Sequence, residues 1–158
     1  MHHLLSGELI ILSLALMEKN VFRLFVYGSL RSGFHHPAYE YISKYFKFLS
    51  NAKVKGYLYD MGNFPAAIPT TDEVYLIGEL YELKDTADFS WAIEQLDDYE
   101  GVLPEEGEVC MYRREVTTVL FNNDITEAWI YWFNGTIDHQ PIISSGDVMQ
   151  FIHQKSKL

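Results

Sequence analysis

Cysteine is nearly absent from this 158-residue chain. Cys110 stands alone, which excludes an internal disulfide framework and a cysteine-based zinc centre. With no histidine or asparagine context, that thiol reads as incidental rather than nucleophilic, and a reducing, cytoplasmic setting is the expectation. Positive charge is scarce as well: 12 Lys and Arg stand against 22 Asp and Glu, a formal net charge of -10. The clustered cations that a phosphate backbone requires are missing, so no nucleic-acid partner is expected. Long apolar runs are also lacking. The nearest candidate, GELIILSLAL at residues 7–16, has Glu8 at its edge, no basic region before it and no small-residue cleavage site, and is too short to span a bilayer. It reads as part of an extension, residues 1–20, outside the main fold, with Met17 a credible alternative start. Residues 21–158 are then expected to form one domain, with no membrane partner. Repeats and low-complexity tracts are absent.

What is present is a chain of 48% hydrophobic and 15% aromatic content, enough for one substantial core. VFRLFVYGS alternates at Phe22, Leu24 and Val26 and predicts a strand closed by a turn at Gly28. HHPAYEYISKYF predicts a short helix with Pro37 in its first turn. AKVKGYLYDMG and EVYLIGELYEL predict two strands, each with an internal glycine, separated by a loop NFPAAIPT fixed by Pro65 and Pro69. Glycines inside strands point to tight bending or close backbone approach. DTADFSWAIEQLDDYEG predicts a helix with Asp88 as N-cap, apolar Ala92, Leu96 and Tyr99 at helical spacing, and Gly101 as terminator. MYRREVTTVLFNNDITEAWIYWFNG predicts two strands joined at Asn122–Asp124 and ended by an Asn134-Gly135 turn; a last short helix follows SSGD from about Asp147. Strands outnumber helices and the last two form a hairpin, so the class is α+β with a curved or closed sheet.

The stretch FVYGSLRSGFHH carries Gly28 and Gly33 at the spacing of a phosphate loop, but Phe34 stands where such a loop needs lysine. A nucleotide site is therefore disfavoured. There is no G-x-S-x-G elbow to support Ser29 as a triad nucleophile and no H-E-x-x-H to make His35 and His36 metal ligands. What the turn does offer is backbone: the amides of Ser29 and Leu30 could hold a carboxylate or an oxyanion, although an ordinary tight turn explains the same residues. Glu100 falls one four-residue step beyond Ala92 and Leu96, on the apolar line of its helix, while Glu94, Asp97 and Asp98 are expected to point elsewhere. Desolvation there would raise a carboxyl pKa into the range useful for proton transfer. The alternatives are that the helix ends before Glu100, or that it pairs with Arg113 or Arg114. Tyr112, Tyr131 and Trp132 lie in strand-like runs where packing is the default, and Asn134-Gly-Thr136 reads as hairpin chemistry rather than a glycosylation site.

Taken in order, RLFVYGSLRSG, GYLYDMGNFPAAI, GELYEL, LDDYEG, MYRREV, AWIYWFNG and SSGD resemble the gamma-glutamylcyclotransferase-like family, especially its gamma-glutamylaminecyclotransferase branch, from about Phe22 to Asp147. The resemblance implies a small mixed β-barrel with flanking helices. It implies a substrate cavity walled by Tyr27, Gly28, Ser29 and Leu30, with Glu100 as proton acceptor. Tyr112, Arg114 and Tyr131 match further family positions near the pocket. The implied reaction converts a gamma-glutamyl amine or amino acid to 5-oxoproline and free amine, with no cofactor and no metal. A non-catalytic binding or sensing module using the same pocket is the alternative.

Overall fold

The computed structural model describes residues 21–28, 31–32, 37–100 and 111–156. Six strands are described: β1 (Arg23–Val26), β2 (Phe46–Asp60), β3 (Pro65–Pro69), β4 (Tyr75–Leu83), β5 (Tyr112–Phe121) and β6 (Asp124–Phe133). Three α-helices accompany them: α1 (Pro37–Tyr45), α2 (Phe89–Glu100) and α3 (Val148–Ser156). The sheet runs β3-β2-β4-β1-β6-β5, and β5 returns to β2 at Lys53–Leu120, so five strands close on themselves while β3 stays outside the ring. Every pairing is antiparallel except β1 with β6, which makes the barrel mixed. The expected α+β class and small mixed barrel are what the chain forms.

Two of the predicted boundaries need correction. Residues 63–70, expected as a loop, contain β3, which pairs with β2 from Gly56–Pro69 to Asp60–Pro65. Its two prolines sit at the ends of a strand that has one neighbour only, where a missing N–H removes no interior ladder bond. The second correction is β2, which begins at Phe46 directly after α1 and runs for 15 residues. It pairs with β4 up to Lys55 and with β3 from Gly56 onward. Gly56 stands at that changeover: a Cβ would lie 2.9 Å from the Leu76 side chain and 3.1 Å from the Ile68 carbonyl oxygen. The other strand glycine is tighter still. A Cβ on Gly78 would lie 2.3 Å from the Val26 carbonyl oxygen, so β1 reaches β4 only because no side chain intervenes.

Strand alternation divides the interior in two. Phe25 and Tyr27 of the β1 segment, with Val54, Leu76, Ile130 and Trp132, fill the barrel. Leu24 and Val26, with Tyr81 and Tyr131, face α1 and α2 through Ile42, Ala92, Ile93 and Leu96. The β5–β6 hairpin turns through Asn122 and Asn123, at φ 48° and 61°, the left-handed pair that a two-residue turn needs and asparagine tolerates. A 3-10 turn, Thr86–Asp88, leads into α2 and is itself capped by the Asp85 carboxylate, which accepts from the Ala87 N–H at 3.0 Å; Asp88 stands directly before the first residue of α2. Tyr99, expected on the apolar face of α2, is exposed. Asp147 caps α3, its Oδ1 accepting from the N–H groups of Met149 at 3.0 Å and Gln150 at 3.2 Å. No helix among the described residues is long and apolar enough to cross a membrane.

Candidate active site

A cavity of about 240 Å³ opens at the carboxyl end of β1. Residues 25–28 form one wall, and Glu100, Tyr112 and Tyr131 face it. The structure thus brings Tyr27, Gly28, Glu100, Tyr112 and Tyr131 to one place, although they come from three separate parts of the chain. The amides of Ser29 and Leu30 lie outside the described residues, as do Cys110, His35, His36 and the 1–20 extension.

Glu100 is the last residue of α2. It arrives at the cavity because the Ala92–Leu96 row of that helix packs on the barrel and the next turn carries the line past the edge of the core. Burial alone pushes its carboxyl from the ordinary 4.5 up to about 7, since ionisation there gives up hydration and no cation among the described residues compensates. The three tyrosines feel the same carboxylate. Tyr27, Tyr112 and Tyr131 are all raised, by burial first; the Glu100 charge adds to each. They stay protonated as hydroxyl donors across the neutral range. Tyr27 is fixed by donating to the Tyr131 backbone carbonyl, and Tyr112 packs edge-on against Phe133 with ring centroids 6.0 Å apart.

Asp97 overturns one expectation. It points inward and is 5% exposed, because the buried face of α2 is two rows wide: Ile93 and Asp97 run beside Ala92, Leu96 and Glu100. Arg114 clamps it with both arms, Nε to Oδ1 at 2.7 Å and the terminal nitrogen to Oδ2 at 3.1 Å, and the guanidinium lies 4.3 Å over the Trp129 ring. The Tyr131 hydroxyl donates to the same carboxylate at 2.8 Å. Arg114 therefore serves Asp97, and the expected alternative of a Glu100–Arg114 pair is not formed. Asp97 and Glu100 of α2 are divided by environment, one held by a cation and one left desolvated.

A second buried carboxylate, Glu79 of β4, is 6% exposed and anchors the bend after β1. It accepts from the Ser32 N–H and Ser32 hydroxyl, both at 2.8 Å, and from the Tyr81 hydroxyl at 3.0 Å. Nearby, buried Arg31 pairs with Asp147 at 2.9 Å, and the Arg31 N–H donates to the Gly28 carbonyl at 3.0 Å. The bend is held by side chains on both flanks. At Gly28 itself a Cβ would meet nothing within 4 Å among the described residues, so that position is open toward the cavity.

Against this geometry, a family model described as Gamma-glutamyl cyclotransferase, AIG2-like, matches residues 24–150. The chain belongs to that family. Among its relatives is the gamma-glutamylcyclotransferase family protein YtfP of Escherichia coli K12, 27% identical over 126 residues, which cover 79% of this chain and 94% of YtfP. The crystal structure of YkqA from Bacillus subtilis aligns with a TM-score of 0.63 at 27% identity, covering 87% of this chain but 43% of YkqA, so this chain spans under half of that protein. An uncharacterised protein from Pyrococcus horikoshii aligns at a TM-score of 0.60 and 24% identity, covering 86% of this chain and 97% of its own; at that identity it supports the fold alone.

Within this gamma-glutamyl cyclotransferase-like barrel, sequence reasoning missed Asp97, Glu79 and the outer lining of the cavity. The outer lining comes from the β2–β3 connection at Asn63, Phe64 and Pro65 and from Val148 and Ile152 of α3. Asp97 was legible in principle from the Ile93–Asp97 spacing together with an arginine on a later strand. Ile152, four residues after Val148 on a predicted helix, carried a helical-face signal but nothing to say what that face would meet.

Proposed function

We propose that the chain is a cyclotransferase that converts a gamma-glutamyl amine or gamma-glutamyl amino acid to 5-oxoproline and the free amine, with Glu100 as general acid and base. The substrate brings its own nucleophile. Glu100, ionised, takes a proton from the α-ammonium; the freed amine attacks the γ-carbonyl carbon, and the carbonyl π pair moves to oxygen. Collapse of that tetrahedral species expels the amide nitrogen with the proton returned by Glu100, and the second proton that the ring nitrogen sheds as the lactam forms goes to the departing amine, which leaves as its ammonium. The net result is exchange of one amide for another with no water consumed. Backbone amides around Gly28, Ser29 and Leu30 bind the glutamyl carboxylate or the developing oxyanion, while Tyr27, Tyr112 and Tyr131 line the cavity with Glu100. Tyr131 is held there by Asp97. Fixing the chain in its ring-closing conformation is worth on the order of 7 kcal/mol of barrier, and positioned proton transfer adds typically ~100-fold.

The observation that carries this reading is the desolvated Glu100 carboxyl, poised at about 7 on a cavity whose opposite wall is the Gly28 bend. A base working near neutral pH is most effective when its own pKa lies there. The Glu100→Gln protein is expected to bind a gamma-glutamyl amide with affinity within about threefold of the parent and to lose at least ~100-fold in 5-oxoproline release, read by mass spectrometry. Unchanged turnover overturns the assignment, and binding without turnover by the intact protein makes it a binding module instead.

A further inference from the structure

Tyr27 and Tyr131 line the cavity with Glu100, and both commit their single hydroxyl proton to the protein. The Tyr131 hydroxyl donates to Asp97 Oδ1 at 2.8 Å, and the Tyr27 hydroxyl donates to the Tyr131 backbone carbonyl. A tyrosine oxygen has one proton to give and lone pairs with which to receive, so toward any further partner each of these two can only accept. Burial first, and Asp97 next, raise the Tyr131 hydroxyl above its ordinary range, so it keeps its proton, and that direction, at neutral pH. Residues outside the cavity lining impose the direction. The β5–β6 pairing sets Arg114 directly opposite Tyr131, so both side chains share the sheet face on which α2 packs. Asp97 reaches that face one helical turn before Glu100 and is 5% exposed. Its Oδ1 accepts from Arg114 Nε at 2.7 Å and from Tyr131, and its Oδ2 accepts from the Arg114 terminal nitrogen at 3.1 Å. The guanidinium is backed by Trp129, whose Nε1–H donates to the Val21 carbonyl at 2.8 Å.

We infer that Asp97 is a positioning residue for ring closure: it fixes the Tyr131 oxygen as an acceptor, which takes an N–H of the substrate α-amine and aims the nitrogen lone pair at the γ-carbonyl carbon. The inference rests on the cyclotransferase reading and adds to it. Once Glu100 has removed one proton from the α-ammonium, the amine keeps two N–H bonds and one lone pair, and only the lone pair can attack. An acceptor on the wall engages an N–H and leaves the lone pair free along the line of attack. A hydroxyl turned to donate would engage the lone pair itself and block the reaction. Tyr131 exchanges no proton in this step, and Arg114 acts only by holding Asp97. Asparagine cannot take over at position 97, because either orientation of its amide sets the NH2 group against a donor. At the Oδ2 place it meets the Arg114 terminal nitrogen, and at the Oδ1 place it meets Arg114 Nε and the Tyr131 hydroxyl.

The test follows release of 5-oxoproline from gamma-glutamyl-isobutylamine by the full chain and its variants, with kcat referred to folded protein as measured by circular dichroism. Tyr131→Phe keeps the ring and removes the oxygen; kcat is expected to fall at least about tenfold while KM stays within about threefold. Asp97→Asn is expected to do the same, and the protein carrying both substitutions to lie within about threefold of the slower single variant, because both remove one function. Arg114→Lys keeps the charge but loses the two-armed grip, and decides the matter if Asp97→Asn does not fold. It is expected to lower kcat at least about fivefold in the parent and no more than about twofold when Tyr131 is already Phe. A merely structural network gives variants that are less stable yet keep the parent kcat, or losses at positions 97 and 131 that multiply. Either result overturns the inference and leaves the cyclotransferase reading standing. A parent protein that releases no 5-oxoproline overturns that reading, and this inference with it.

Discussion

At the residue scale the account turns on two carboxylates three positions apart on one helix. Asp97 has a bidentate arginine and a tyrosine hydroxyl; Glu100 has desolvation. Because the folded Glu100 carboxyl titrates at about 7 against an ordinary 4.5, the folded protein holds a proton in that interval that the unfolded chain has released. Its contribution to stability is complete below 4.5 and is lost as pH rises through 7. The stability of Glu100→Gln relative to the parent should therefore increase from pH 5 to pH 8, by about 2 kcal/mol after allowance for partial exposure, measurable by urea denaturation at the two pH values; a difference that does not change with pH contradicts the desolvated state. The acid limb of kcat/KM should have a midpoint near 7 in the parent. Asp97→Asn removes one partner of a buried pair and should cost about 3 kcal/mol, whereas Asp98→Asn, on the exposed face, should change stability by less than about 0.5 kcal/mol. Glu100 was legible from the sequence because a carboxylate on an apolar stripe is a conflict that a cavity resolves. Asp97 was not, because its partner, Arg114, lies on a strand that only the barrel brings to it.

At the scale of elements, glycine positions and helix caps hold the site in place. Gly78 lets β4 lie against β1, and Gly28 opens the bend that β1 leads into, yet the two should respond oppositely to the same methyl group. Gly78→Ala drives a Cβ toward the Val26 carbonyl oxygen and should cost about 3 kcal/mol in thermal or chemical denaturation. Gly28→Ala meets no described atom within 4 Å, so stability should move by no more than about 0.5 kcal/mol. Gly28 lines the cavity, and under the proposed function the added methyl is expected to raise KM at least about fivefold. The reverse pattern, a fragile Gly28 and an indifferent Gly78, would contradict the assigned roles. Strand glycines and the apolar alternation of β1 made the curved sheet readable before any coordinates. The Pro65–Pro69 strand was unreadable, because two prolines in five residues look like a loop unless the strand has only one neighbour and ends where they stand. Equally hidden was α3 as a cavity wall, since its place depends on the Arg31–Asp147 and Lys155–Asp60 ion pairs, each joining residues far apart in the chain.

At the scale of the whole molecule, a closed five-stranded barrel brings β1, the end of α2, the β5–β6 hairpin and α3 around one hollow. None of these elements carries a recognisable nucleophile motif, and the proposed chemistry needs none, because the attacking nitrogen belongs to the substrate. That property separates ring closure from hydrolysis in a single experiment. The full chain is incubated with gamma-glutamyl-isobutylamine in water enriched in oxygen-18, and the glutamyl product is examined by mass spectrometry. The account predicts 5-oxoproline free of the heavy isotope, released in equal amount with isobutylamine. Glutamate bearing one oxygen-18 atom would mean that water, not the α-amine, attacks the γ-carbonyl, and would contradict it.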